Sequence, residues 1–119
     1  MRRSAYSLLL AAILASPAHA QQAGSLPRGL FGENARECQA ATNGDENGAR
    51  AISRDGKVVE SFASRCSVRA TTRAGATFSL STTCQGEGQS WAEPIEIVVV
   101  NRDTLRWSER GSTRTLHRC

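Results

Sequence analysis

The stretch CQGEGQSWAEP, residues 84–94, puts Glu87, Trp91 and Glu93 close together, with Glu96 just beyond. A carboxylate held between glycines beside an aromatic ring is how a carbohydrate or peptide site is furnished. The same carboxylates raise a second chemistry. Glycoside hydrolysis needs two carboxyl groups at a defined separation, and Glu87 with Glu93 or Glu96 could supply them. Set against both is a plain reading, in which the glycines bend a strand connection and Trp91 drops into the core. A domain this small also offers little room for a hydrolase cleft. We therefore take Glu87, Trp91 and Glu93 as binding candidates and no residue as catalytic.

Other chemistry is thinner. His117 is the one histidine outside the N-terminal segment, and no G-x-S-x-G elbow accompanies it to make a hydrolytic triad. NGDENG (residues 43–48) matches the opening positions of a calcium loop, but the position that needs a bidentate glutamate is Arg54, so it reads as a turn. Arginines recur every fourth residue at Arg102, Arg106, Arg110, Arg114 and Arg118. Gly111 and Ser112 interrupt any helix there. The spacing becomes even parity along two strands, with the side chains in solvent, and Arg102 joins the binding candidates as a turn residue. No cofactor fingerprint or metal cluster is expected.

The four cysteines, Cys38, Cys66, Cys84 and Cys119, stand eighteen or more residues apart, which is wrong for a zinc site and right for two disulfides in an exported chain. Folding the chain about Gly75 sets positions summing to 150 opposite each other. Cys66 then faces Cys84, and Cys66, Val68, Ala70 and Thr72 share a face with Phe78, Leu80, Thr82 and Cys84. That register favours Cys66–Cys84 with Cys38–Cys119. The sequential pairing, Cys38–Cys66 with Cys84–Cys119, stays open.

The elements that must position these groups follow from turn signals. Residues 1–20 combine Arg2 and Arg3, an apolar run at residues 8–15 and Ala18-His19-Ala20, the pattern of a signal peptide cut between Ala20 and Gln21. The apolar run is far short of the about 20 residues a membrane-spanning helix needs. A periplasmic or secreted chain of ninety-nine residues remains, with no transmembrane segment. Thirteen basic residues then face eleven acidic ones, a net charge of +2 that is too mild for nucleic-acid binding.

Within this chain, residues 21–29 read as a flexible leader and residues 30–119 as a single small β domain. FGENARECQAAT (residues 31–42) predicts one short helix with Asn34 as its cap and Cys38 on its inner face. Beyond it, short runs separated by turn residues predict about seven strands. The expected fold is an all-β, disulfide-stapled antiparallel meander, either a barrel or a strongly twisted sheet. Leu116 and Cys119 have opposite parity on the last strand, so they cannot both point inward without a bend or bulge.

The spacing Phe31-Gly32, Cys38, Cys66-Ser67-Val68, Cys84-Gln85-Gly86-Glu87-Gly88, Trp91, Asp103-Thr104-Leu105 and Arg118-Cys119 resembles that of small exported proteobacterial proteins of unassigned function. In size, export signal and disulfide-tied β architecture the chain is also similar to periplasmic barrel inhibitors of c-type lysozyme. Those inhibitors carry a Ser-Gly…Tyr loop and a second tyrosine-bearing loop. The mature chain here has no tyrosine, so the resemblance implies architecture and transfers no inhibitory residue. Together these readings lead to a non-enzymatic binding module, an inhibitor or envelope accessory protein, whose partner is a protein or cell-envelope ligand. The alternative is a small cell-wall glycan hydrolase.

Overall fold

Side-chain alternation organises the chain. Along β5 (Thr77–Gly86) Phe78, Leu80, Thr82 and Cys84 are buried while Ser79, Ser81 and Gln85 face out. Along β6 (Gln89–Asn101) Glu93, Ile95 and Ile97 are buried between exposed neighbours. Strands with one apolar face need a covered interior, and here the sheet covers itself. The computed structural model describes residues 26–119. In it β1 (Gly29–Gly32), β2 (Arg50–Ile52), β3 (Val58–Ser61), β4 (Ser64–Ala74), β5, β6, β7 (Thr104–Glu109) and β8 (Ser112–Arg118) form a closed antiparallel barrel in chain order.

The barrel resolves the choice between closed and open sheet, and it has eight strands where the sequence suggests about seven. The additional strand is β1, four residues with no alternating signature, lying where leader and helix are expected. It pairs with β2 along Gly29–Phe31 and with β8 through Phe31 and Gly32. The end of the segment read as leader also belongs to the fold, since Leu26 is 7% exposed and packs in the core. The export-signal reading and the rest of the leader lie outside the described residues.

The helix α1 spans Ala35–Asn43, after Phe31 and Gly32 have been used in β1. Asn34 caps it, its side chain accepting from the Glu37 N–H at 2.9 Å, and Gly44 ends it at φ +76°, a conformation glycine adopts without penalty. No α1 residue is fully buried. The helix is fastened to the outside of the barrel by Cys38, which bonds to Cys119. That arrangement removes the parity conflict on β8. Leu116 points into the core, while Cys119, one residue past the strand, faces out to meet the helix. The second disulfide, Cys66–Cys84, lies inside.

The β4–β5 register differs from the sum-to-150 rule above Val68. Cys66↔Cys84 and Val68↔Thr82 pair as that rule has it, then a bulge at Arg69 shifts the partners to Ala70↔Ser81 and Thr71↔Leu80. The cause is the turn. A two-residue loop, Gly75 and Ala76, joins Ala74 to Thr77, and the extra residue needed to reconcile it with the lower pairs is expelled as the bulge. Ala70 and Thr72 therefore join Ser79 and Ser81 outside rather than the core inside.

Successive strand connections lie at opposite ends of the barrel in alternation. The turns at residues 62–63, 87–88 and 110–111, with α1, lie at one end; those at residues 53–57, 75–76 and 102–103 lie at the other. The interior divides along the same axis. Phe31, Ile52, Val59, Phe78, Leu80, Ile95, Ile97, Leu105 and Leu116 fill the second end with apolar packing. The first end is lined by charge. Among the described residues no helix is long and apolar enough to cross a membrane.

Candidate functional site

Turn chemistry builds the charged mouth. Glu87 and Gly88 join β5 to β6, and Arg110 and Gly111 join β7 to β8. All four have positive φ (50°, 74°, 51° and 73°), as a type I′ turn requires. Glu87 and Arg110 are the non-glycine residues held in that conformation among those described. Such left-handed placement costs a residue with a Cβ about 1 kcal/mol, and strain of this kind concentrates at functional sites. The glycine-flanked segment is thus a tight hairpin, and Trp91 and Glu93 lie on its second strand.

Inward parity supplies the rest. Arg50 precedes Ile52 by two residues, Arg114 precedes Leu116 by two, and Glu109 follows Trp107 by two, so each shares the inward face of its strand. With Trp91, Glu93, Trp107, Glu87, Arg110 and serines 61, 64 and 112 they surround a cavity of about 610 Å³. That size falls among small-molecule sites. Gly86 shapes one wall. A Cβ there would meet the Ala63 carbonyl oxygen at 2.4 Å and the Trp91 ring at 3.2 Å, so only glycine lets the β3–β4 turn and Trp91 close on each other.

The charges are matched in pairs. Glu93, 6% exposed in its side chain, accepts from Arg110 Nε at 2.6 Å and from Trp91 Nε1 at 3.2 Å. The Arg110 guanidinium carbon also lies 5.5 Å from the Trp91 ring centre. Arg50 donates to Glu109 Oε1 through Nε at 2.9 Å and through a second guanidinium nitrogen. Arg114 donates to Glu37 Oε1 at 2.7 Å and to the Gly48 carbonyl at 2.9 Å, and pairs with Glu33 at 3.3 Å. Gly48 must lack a side chain for this, because a Cβ would sit 2.8 Å from Glu37 Oε2 and 2.9 Å from the Arg114 guanidinium. One polar atom stands apart: Nε1 of Trp107, itself 1% exposed, is buried with no acceptor among the described residues.

Cys66, Cys84 and Glu93 place two sulfurs and a carboxylate within 4.8 Å of one another. The sulfurs are joined in a disulfide, so they offer no thiolate to a metal. For the same reason the 3.4 Å approach of Cys84 Sγ to Glu93 Oε2 is a contact without a hydrogen.

Of the candidates from the sequence, Glu87, Trp91 and Glu93 converge on this mouth. Arg102 does not. It sits in the β6–β7 turn at the opposite end, with a side chain 92% exposed, 3.8 Å from Asp103. Glu96 lies on the outer face of β6, opposite in parity to Glu93. His117 is exposed on β8, its Nδ1 3.5 Å from Thr104 Oγ1. The arginine ladder is not uniformly solvated. Arg106 is exposed, but Arg110 and Arg114 serve the mouth, and Arg118 spans the β1–β8 seam through Asp103 and the Arg28 carbonyl, 4.7 Å above the Phe31 ring. Arg50, Glu109 and Arg114 were not among the candidates, although their two-residue offset from core residues was available as a signal. No family model, curated protein or solved structure matches the chain.

Proposed function

We propose that the protein is an exported, non-enzymatic binding module, acting in the periplasm or outside the cell, that meets its partner with the charged mouth of the barrel. The observation that carries this reading is the convergence of Glu87, Trp91, Glu93 and three further interior charges on one cavity, at the end where two strained turns lie. Rigid scaffolds that present loops at one end commonly bind there. Two disulfides fit an oxidising compartment. An inhibitor of an envelope enzyme or an envelope accessory protein is the form such a module takes.

Binding without turnover is favoured over glycan hydrolysis by the state of the carboxylates. Both oxygens of Glu93 already accept hydrogen bonds, and Glu96 is on the far face of its strand. Peptidoglycan zymography is expected to give no clearing zone with the purified protein. For binding, immobilised protein is expected to retain a component of envelope extract, and Glu87→Arg to abolish retention. Arg102→Glu, at the opposite end, should leave it intact. Loss with Arg102→Glu alone would move the contact surface to the other end of the barrel.

A further inference from the structure

We propose that the end of the barrel opposite the mouth is an adsorption surface for an anionic bilayer, holding phospholipid headgroups with its cations while the mouth points away. This goes beyond the reading of the mouth and uses none of its residues.

Charge is sorted along the barrel axis. At the end opposite the mouth, Arg28, Arg54, Lys57, Arg73, Arg102 and Arg118 stand against two carboxylates, Asp55 and Asp103. At the mouth and along residues 33–49 the balance reverses, with seven carboxylates against four arginines. The mild net charge of the chain thus conceals two poles of opposite sign.

The fold gathers the six cations into one patch. Arg118 donates to the Arg28 carbonyl at 2.6 Å, to the Arg102 carbonyl at 2.7 Å and to Asp103 at 3.0 Å. The Val99 N–H donates to the Ala76 carbonyl at 2.9 Å, which sets the β4–β5 turn beside the β6–β7 turn. The Val68 N–H donates to the Lys57 carbonyl at 2.8 Å and so brings in the β2–β3 turn. Both carboxylates are engaged within the patch. Asp103 is shared by Arg118 and Arg102, and Asp55 accepts from the Ser53 hydroxyl and the Lys57 backbone N–H. Arg28, Arg54 and Lys57 are exposed and form no ion pair among the described residues. The Arg102 side chain is 92% exposed. These groups are open to an external anion.

The apolar content of the same turns selects a bilayer over a dissolved polyanion. A bulge between Val99 and Asn101 leaves Val100 without a strand partner, and it is 49% exposed. Ala74 and Ala76 are exposed on the neighbouring turn. Short apolar tips among cations suit the boundary between headgroups and acyl chains, where charges stay with phosphates and apolar groups sink deeper. Phe62, the other large exposed apolar residue, lies at the acidic end, which an anionic surface repels. Arginine N–H groups pair with phosphate oxygens, and each cation near such a surface strengthens binding about fivefold. Six cations against two carboxylates give reversible, salt-sensitive adsorption rather than a permanent anchor.

Flotation of the exported, disulfide-bonded protein with protein-free vesicles tests this. Phosphatidylcholine vesicles with about one-third phosphatidylglycerol should carry the protein at about 50 mM salt and release it at about 500 mM. Pure phosphatidylcholine should carry none. Arg54→Glu with Lys57→Glu should weaken binding at least about tenfold. Arg36→Glu with Arg65→Glu changes net charge equally, on α1 and at the mouth end of β4, and should stay within about twofold of wild type. All four side chains are exposed, so neither pair disturbs the core. Val100→Ser should cost about threefold on vesicles and nothing on soluble polyphosphate.

Equal losses in the two double variants would trace binding to net charge alone and overturn the proposal, as would flotation with neutral vesicles. Polyphosphate binding as tight per phosphate as vesicle binding would overturn the bilayer as ligand. Head-to-tail association without lipid, and no flotation, would give the patch to the acidic mouth of a second copy. The mouth's own partner is sought in detergent-solubilised extract, where no bilayer is present, so either reading can fail without the other.

Discussion

Glu93 shows how a single buried carboxylate is made tolerable. Its oxygens are divided between a guanidinium that is 67% exposed and an indole that is half-buried, so the pair is partly screened from one side only. Removing the two partners should therefore not be equivalent. Arg110→Ala leaves a carboxylate inside the barrel with one neutral donor and is expected to cost about 2 kcal/mol. Glu93→Gln keeps the shape and an acceptor for Trp91, returns Arg110 to solvent, and should cost about 1 kcal/mol. Urea denaturation of both variants checks the order; a larger loss with Glu93→Gln would mean that water already solvates the carboxylate. At this scale the sequence was informative about residue type and weak about position. Glu87, Trp91 and Glu93 could be found because carboxylates and an aromatic ring sit near glycines. The end of the barrel that carries Arg102 was not legible, because consecutive two-residue turns open at alternate ends and placing one requires an exact count of strands. Arg50, Glu109 and Arg114 were missed because an inward-facing charge looks like a solvated one until the core parity of its strand is applied.

Among the elements, the turns are held by local side-chain bonds that read directly from sequence, whereas the helix is held from a distance. In the β2–β3 turn the Lys57 backbone N–H and the Ser53 hydroxyl both donate to Asp55, and these bonds hold its carboxyl below the usual aspartate range. A lowered folded-state pKa stabilises the fold above the unfolded value. That stabilisation is lost as pH falls through the folded value. Carboxyl carbon shifts should therefore show Asp55 titrating below an unstructured aspartate, below about pH 4, and Asp55→Asn should remove that part of the acid sensitivity. Helix α1 has no fully buried residue and is anchored by Cys38 to Cys119 and by Glu37 to Arg114. With Cys38 and Cys119 both changed to serine, amide exchange over Ala35–Asn43 is expected to approach that of an open helix while β5 and β6 stay protected. Equal protection before and after would show that Arg114 alone secures the helix. Asn34 as cap was legible from its type. The strand β1 was not, because four residues ending in Phe31-Gly32 carry no period, and only pairing with β2 and β8 makes them a strand.

For the whole molecule, the closed barrel follows from its two kinds of contact. Six neighbouring strand pairs, β2–β3 to β7–β8, are successive hairpins, β1 reaches β2 through α1, and one seam joins β1 to β8 across nearly the full chain. The seam is short, two register pairs, extended by the Cys119 N–H to the Leu30 carbonyl and the Arg118 contacts. Alternating patterns identify the hairpins. Nothing local announces the seam, which is why barrel and twisted sheet could not be told apart from sequence.

The seam sets an order in time. Contacts distant in sequence form late, because a large loop must close before they gain anything. Cys66 and Cys84 are 18 residues apart on adjoining strands, whereas Cys38 and Cys119 are 81 apart and meet only when β8 has reached β1. Refolding the reduced chain under mild oxidation, with free thiols blocked at intervals, should first accumulate a species holding Cys66–Cys84 alone. Early accumulation of Cys38–Cys119 would place closure before the hairpins. The barrel thus assembles as an open ribbon that one internal bond already braces, and the last bond to form latches it into a ring.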